Sequence, residues 1–152
     1  MWRLLIRLKR NELKDIIIHF KPDVVHTNNL AGINDYIWKV FNEQNVPIVH
    51  TLRDYYQICA KQSYFKNQKN CDEKKRCKSC YILTYHRKKA SKHVDVIVGN
   101  SKKTLEIHLN ADYFPNALQE VISGGLSHIP KLTFYNTSKN MIGFIGQISE
   151  HK

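Results

Sequence analysis

Apolar positions recur along the chain with two alternating periods. Helical spacing predicts helices over 5–20, 33–45, 81–93 and 101–109, the first with Leu5, Leu8, Leu13, Ile16, Ile17 and Phe20 on one face. That helix is expected to end before Pro22, because proline disfavours helix in the residue before it. Short runs rich in β-branched residues predict strands over 23–26, 46–51, 94–98, 120–122 and 141–145.

Strands and helices therefore alternate, which predicts an α/β fold: a Rossmann-like parallel sheet with helices on both faces. In such sheets ligands bind beyond the carboxyl ends of the strands. The segments to consider are therefore 26–29, 51–54, 99–101 and 123–125. Asn100 or Ser101 is also expected to cap the helix that follows, because either side-chain oxygen can accept a bond from a free helical N–H group.

The basic residues are concentrated in one segment. The chain carries a formal net charge of +11, with 24 Lys and Arg against 13 Asp and Glu. Segment 61–92 holds 11 of the basic residues and 2 of the acidic ones, so it accounts for +9 of that charge. Such a segment attracts an anionic membrane, a nucleic acid or a phosphorylated ligand, or it is a solvated basic loop.

Neither a membrane span nor a signal peptide is predicted. The apolar runs are short, and the one that begins at Met1 is interrupted by Arg7, Lys9 and Arg10 with no cleavage site after it. We therefore expect a cytoplasmic protein.

Four cysteines, Cys59, Cys71, Cys77 and Cys80, lie in a segment with almost no core-forming periodicity. The Cys77-x-x-Cys80 spacing is that of a zinc knuckle, and four thiolates satisfy tetrahedral zinc. The residues alone leave three states open: a closed structural zinc site, free thiols, or disulfides, which a cytosolic protein disfavours.

Four segments resemble the family 4 glycosyltransferases of the GT-B fold, in which two Rossmann-like domains face each other across a cleft. They read KPDVVH at 21–26, PIVHTLRDYY at 47–56, VDVIVGNS at 94–101 with VISGGL at 121–126, and IGFIGQISEHK at 142–152. Each motif is weak alone, but the four follow the family's order and cover nearly the whole chain.

The resemblance implies a retaining transfer of a sugar from a nucleotide-sugar to a glycan or lipid-linked acceptor, as in polysaccharide or lipopolysaccharide synthesis, without a catalytic metal. It implies an acceptor-side domain over 1–126 with a basic, cysteine-containing insertion at 55–92, a linker at 127–140, and the first strand of a donor-binding domain at 141–152. We expect a fragment truncated at both ends and inactive alone. Relatives that act on lipid-linked acceptors imply contact with the inner face of the bacterial membrane.

The resemblance also implies which residues form the site. His26, Arg53 and Asp54 are the catalytic candidates, and the substrate-binding candidates are Asn28, Ser101, Gly125, Gln147 and Lys152. Lys152 matches the family's donor-phosphate lysine. Three positions depart from the family: Arg53 replaces a histidine and cannot act as a base, Gln147 replaces a diphosphate-binding arginine, and Gly124 replaces an asparagine.

Each candidate has a structural alternative. His26 could be a structural histidine, Asp54 a surface ion pair with Arg53, and Ser101 only a cap, while 124–125 could form a tight turn. Two other readings compete for the whole chain: a basic zinc-stabilised module that binds RNA or anionic membrane, and the remnant of a disrupted gene. Nucleic acid is not the expected partner, because no RNA-recognition fingerprint or aromatic stacking array is present.

Overall fold

The computed structural model of the protein describes residues 10–72 and 76–125. The predicted linker at 127–140, the predicted strand at 141–145 and the candidates Gln147 and Lys152 lie outside these residues. The helices are α1 (Arg10–Phe20), α2 (Tyr36–Glu43), α3 (Lys78–Leu83), α4 (Tyr85–Ser91) and α5 (Lys102–Leu109). The strands are β1 (Val25–Thr27), β2 (Ile48–Leu52), β3 (Phe65–Lys66), β4 (Lys69–Asn70), β5 (Val96–Gly99) and β6 (Leu118–Val121).

Four of the strands form a parallel sheet in the order β1-β2-β5-β6. The α/β, Rossmann-like class is therefore confirmed, with helices flanking the sheet. A side-chain hydrogen bond joins the starts of the central strands β2 and β5 and fixes their register: the Asp95 carboxylate accepts a 2.7 Å bond from the Ile48 N–H. Since the strands run in one direction, their carboxyl ends meet at a single edge.

One face of the sheet packs against α2 and the segment that follows α5. On β2, Ile48, His50 and Leu52 alternate inward and are almost fully buried. The Trp38 ring of α2 meets the His50 ring at 4.9 Å, and Phe114 stacks on the same histidine at 5.9 Å. This histidine therefore lies inside the core rather than at the edge where ligands would bind.

The first two helices are shorter or less buried than predicted. In α1 only Leu13 and Ile17 are buried, whereas Ile16 and Phe20 are exposed. The helix ends as expected before Pro22. Its last turn is closed by the N–H of Lys21, which adopts a positive φ and donates to Ile17.

Helix α2 covers only the middle of the predicted 33–45. It begins after Asn34 (φ 92°) and ends before Asn45 (φ 55°), and both are left-handed backbone positions that an α-helix cannot include.

The predicted helix over 81–93 is two helices that meet at Thr84. The Thr84 hydroxyl donates to the Cys80 carbonyl at 2.8 Å and lies 2.8 Å from the Tyr113 hydroxyl, which ties the break to the core. The hairpin formed by β3 and β4 was not predicted. Its two turn residues, Asn67 and Gln68, both have positive φ, as a two-residue hairpin turn requires, but no glycine signals it.

Candidate functional site

Polar side chains join the carboxyl ends of β1 and β2 in a row of three cross-strand pairs. His26 Nε2 lies 2.8 Å from the Thr51 hydroxyl. Two asparagines continue the row, because Arg53 Nε donates to Asn28 Oδ1 at 3.0 Å and Asn29 donates to Asp54 Oδ2 at 2.9 Å. We call these six residues the strand-end row: His26, Asn28, Asn29, Thr51, Arg53 and Asp54.

The parallel register explains why these side chains meet. His26 lies beside Val49 on the neighbouring strand, which places Thr51 diagonally across from it on the same face. Beyond the strands, two side chains also shape their own loops. Asn29 Oδ1 accepts from the Ala31 N–H at 2.7 Å, and Asp54 Oδ1 accepts from the Tyr56 N–H at 2.8 Å.

The strand-end row unites all three predicted catalytic residues with the predicted ligand Asn28. The Arg53–Asp54 ion pair, the structural alternative for Asp54, does not form among the described residues. Each of the two side chains instead bonds an asparagine from the loop after β1. Within the described chain only Nε of Arg53 is hydrogen-bonded, so its two terminal nitrogens have no hydrogen-bond partner there. His26, Asn28 and Arg53 are exposed, so this edge is open to a ligand.

Ser101 does cap α5, since its hydroxyl accepts a 3.2 Å bond from the Thr104 N–H. Gly99 allows the turn between β5 and α5, because a Cβ on this residue would lie 2.7 Å from the Leu105 Cβ and 2.8 Å from the Ser101 carbonyl oxygen. A substrate contact by Ser101 stays a prediction, and its hydroxyl is already engaged in the cap.

Gly125 does not lie in a tight turn of the kind that needs glycine. Among the described glycines only Gly32 has a positive φ, and no atom lies within 4 Å of a Cβ built at Gly124 or Gly125. The local geometry therefore gives no structural requirement for glycine at either position, and substrate binding at Gly125 stays a prediction.

The sequence analysis did not predict that two histidines, His50 and His108, are buried. Burial, with the nearby His108 adding to it, lowers the pKa of His50 to about 3, and its Nδ1 lies 2.8 Å from the Thr27 hydroxyl. Burial also lowers the pKa of His108 to about 4, and its Nδ1–H donates to the Thr104 carbonyl at 2.8 Å. Both rings are therefore neutral core groups at physiological pH. Only the aromatic contacts of the folded chain reveal this, since the sequence places His50 on a strand like any other polar residue.

The four cysteines converge on one small cavity. All four line a space of about 10 Å³ together with Ile58, Tyr64 and Arg76. The sulfurs are free of disulfides. Among residues 10–72 and 76–125, no three Cys, His, Asp or Glu side chains stand close enough to one another to hold a metal ion as placed.

Two arginines that the sequence analysis did not single out cross-link the cysteine-containing insertion at 55–92. Arg76 donates to the Ile58 carbonyl at 2.9 Å and to the Thr84 hydroxyl at 2.7 Å. Arg87 donates to the Tyr56 carbonyl and lies over the Tyr56 ring, 3.8 Å from its centroid. Part of the local positive charge is therefore structural.

A groove of about 340 Å³ lies between α2 and α4. Its floor contains Asp35, whose carboxylate is almost fully buried and lies 3.6 Å from His86 Nε2. Burial raises the pKa of Asp35, against the opposing charges of Arg87 and His86. The groove is lined by no member of the strand-end row, so it is separate from the predicted site.

No helix within the described ranges has the length and apolar character that crossing a membrane would require. Apolar side chains are nevertheless exposed on α3, where Tyr81, Ile82 and Leu83 are each more than half accessible.

Comparison with known proteins finds sequence similarity to a curated protein. The chain is 32% identical over 141 residues to an uncharacterized 42.6 kDa protein in the cps region of Klebsiella pneumoniae. The aligned part is 93% of this chain and 37% of that protein, so the chain spans little more than a third of the relative's length. No protein family model and no solved structure matches the sequence.

Proposed function

We propose that this chain is the acceptor-side part of a retaining glycosyltransferase, which moves a sugar from a nucleotide-sugar to a glycan or lipid-linked acceptor during capsular polysaccharide synthesis. The observation that carries the proposal is the strand-end row. It puts His26, Arg53 and Asp54 together at the carboxyl edge of a parallel sheet, where open α/β folds bind their ligands.

The relative supports the same reading. Its gene lies in a capsule (cps) region, a setting in which glycosyltransferases are common. A basic module that binds RNA or membrane on its own is not favoured by this context.

The proposed roles follow from the chemistry of each side chain. Arg53 binds an acceptor hydroxyl or phosphate through its terminal nitrogens, because a guanidinium stays charged and cannot remove a proton. His26 is a hydrogen-bonding partner for the reacting sugars. Asp54 positions the loop through Tyr56 and holds Asn29, so it orients the row rather than standing free in it.

The test uses the longest polypeptide that the gene encodes, because the chain spans only 37% of its relative. Radiolabelled UDP-glucose, UDP-galactose and GDP-mannose are supplied with membrane lipid extracts, and transfer to the lipid fraction is counted. We expect transfer from at least one donor. We also expect about a 100-fold loss in Arg53→Ala, the magnitude typical of removing a preorganised donor.

Lys69→Ala, an exposed substitution in the β3–β4 hairpin, is the matched control and should retain activity. A folded wild-type protein that transfers none of these sugars and hydrolyses none of the donors contradicts the proposal. Equal rates for Arg53→Ala and wild type contradict the role given to the strand-end row.

A further inference from the structure

The clustering of the four cysteines is a property of the fold and does not follow from their spacing alone. Cys59 follows a turn closed by its own N–H, which donates to the Tyr55 carbonyl at 2.8 Å. Cys71 follows β4, and Cys77 and Cys80 lie at the start of α3. Three separate pieces of backbone thus bring every cysteine of the chain to the same 10 Å³ cavity.

The thiols lie near enough to one another to influence each other's pKa values. Burial raises the pKa of Cys71, and the neighbouring Cys59 and Cys77 raise it further. Burial raises the pKa of Cys80 to about 11, again with contributions from Cys59 and Cys77. Hydrogen bonds from Ser79 and Cys80 lower the pKa of Cys77 to about 7. These mutual interactions agree with the four cysteines lining one cavity.

The hairpin and the helix that carry three of the cysteines bury few side chains of their own, although Arg76 and Arg87 cross-link neighbouring parts of the insertion. Strands β3 and β4 contain two residues each, and α3 has no buried residue. Tyr64 is the main apolar anchor, since it is buried and its carbonyl accepts from the Cys71 N–H at 2.9 Å. A two-stranded hairpin of this size is marginal in water unless something else cross-links it.

We propose that Cys59, Cys71, Cys77 and Cys80 are the four ligands of a structural zinc ion that joins the β3–β4 hairpin and α3 to the segment that follows β2. Four thiolates make a closed tetrahedral site, which leaves no open position for catalysis. Among the described residues no three of these sulfurs stand close enough together to hold a metal ion, so binding requires the cysteines to move inward. The site is independent of the proposed transferase activity and can be tested without any sugar donor.

The first measurement is the metal content of the purified, non-denatured protein by inductively coupled plasma mass spectrometry and native mass spectrometry. We expect one zinc per chain, lost together with a marked fall in the melting temperature when Cys77 and Cys80 are both replaced by serine. Lys78→Ser is the matched control, an exposed neighbour on α3, and should keep the zinc.

Because the double variant could fail to fold, the wild-type protein supplies a second measurement. After chelation and reloading with Co²⁺, a tetrathiolate site gives the intense absorption of tetrahedral cobalt and sulfur-to-cobalt charge transfer. All four thiols should react with an alkylating agent only after chelation. Metal-free protein with four reactive thiols overturns the proposal. A molecular mass lower by the hydrogens lost in forming one or two disulfides also overturns the proposal. Bound iron overturns the assignment to zinc.

Discussion

At the scale of single residues, the tightest constraint is at Gly99. The glycine ends β5, and the chain turns at once into the cap of α5, so that two other groups occupy the space where a Cβ would project. Because one of them is the Ser101 carbonyl, part of the backbone, it cannot move aside without shifting the cap. The glycine is thus required by close packing rather than by an unusual φ.

Gly99→Ala should lower the free energy of unfolding by about 1–3 kcal/mol, the usual cost of forcing an extra carbon into a packed site. Urea unfolding followed by circular dichroism measures the change. Gly124→Ala is the matched control, because nothing lies within 4 Å of its added Cβ, and its effect should stay within about 0.5 kcal/mol. Equal effects of the two substitutions would contradict the close approach at Gly99.

At the scale of secondary-structure elements, α3 has two unlike sides. Cys77 and Cys80 line the cavity, whereas Tyr81, Ile82 and Leu83 are turned to solvent. The surrounding segment 61–92 carries a net charge of +9, with 11 basic and 2 acidic residues. Exposed apolar side chains within a strongly basic segment suit the surface of an anionic membrane, where apolar groups enter the headgroup region and cations meet phosphates.

We therefore expect the protein to bind vesicles that contain a third of anionic phosphatidylglycerol and to leave neutral phosphatidylcholine vesicles unbound. Ile82→Ser with Leu83→Ser should weaken binding at least about tenfold, because less apolar surface is transferred. Co-sedimentation of the protein with vesicles at low and high salt measures this binding. Ile18→Ser removes a similarly exposed isoleucine from α1 and should bind like wild type. Equal binding to both kinds of vesicle would refute the expectation.

At the scale of the whole molecule, the core is assembled around aromatic rings from distant parts of the chain. Trp38, His50 and Phe114 meet one another at 4.9–5.9 Å, and His108 extends the group towards Tyr55. Two histidines with lowered pKa values therefore sit inside a single core. Folding keeps them neutral, while unfolding lets them take up protons.

Stability should consequently fall on acidification. Above pH 6.5 both states are neutral and the stability is fully present. As the pH drops towards the folded pKa values of about 3 and 4, the unfolded state binds more protons than the folded state. This proton binding lowers the free energy of the unfolded state and so reduces the stability of the fold. Between pH 7.5 and 5.0 we expect a loss of about 2 kcal/mol per histidine.

Urea unfolding at the two pH values measures this loss. His50→Gln should reduce the difference between them by about half, whereas the exposed His19→Gln should leave it unchanged. A stability that is constant over this range would contradict the neutral, buried state of both rings.

The sequence by itself determined the class of the fold and the order of its elements. Alternating runs of β-branched residues and helical periods are local properties, so the parallel strands and a cap at Asn100 or Ser101 could be placed before any contact was known. The edge at which His26, Arg53 and Asp54 meet also followed, because the carboxyl ends of parallel strands must lie together. The sequence grouped the four cysteines only by spacing.

Only the tertiary structure decided which partner each side chain takes. Arg53 and Asp54 are neighbours in sequence, yet each bonds an asparagine of another loop, because the strand register brings those asparagines closer. The helix break at Thr84 depends on Tyr113, which is 29 residues away. Local helical periodicity does not indicate this break. The burial of His50 likewise depends on rings from α2 and from the segment after α5. These are long-range contacts, and their energy exists only once the chain has folded.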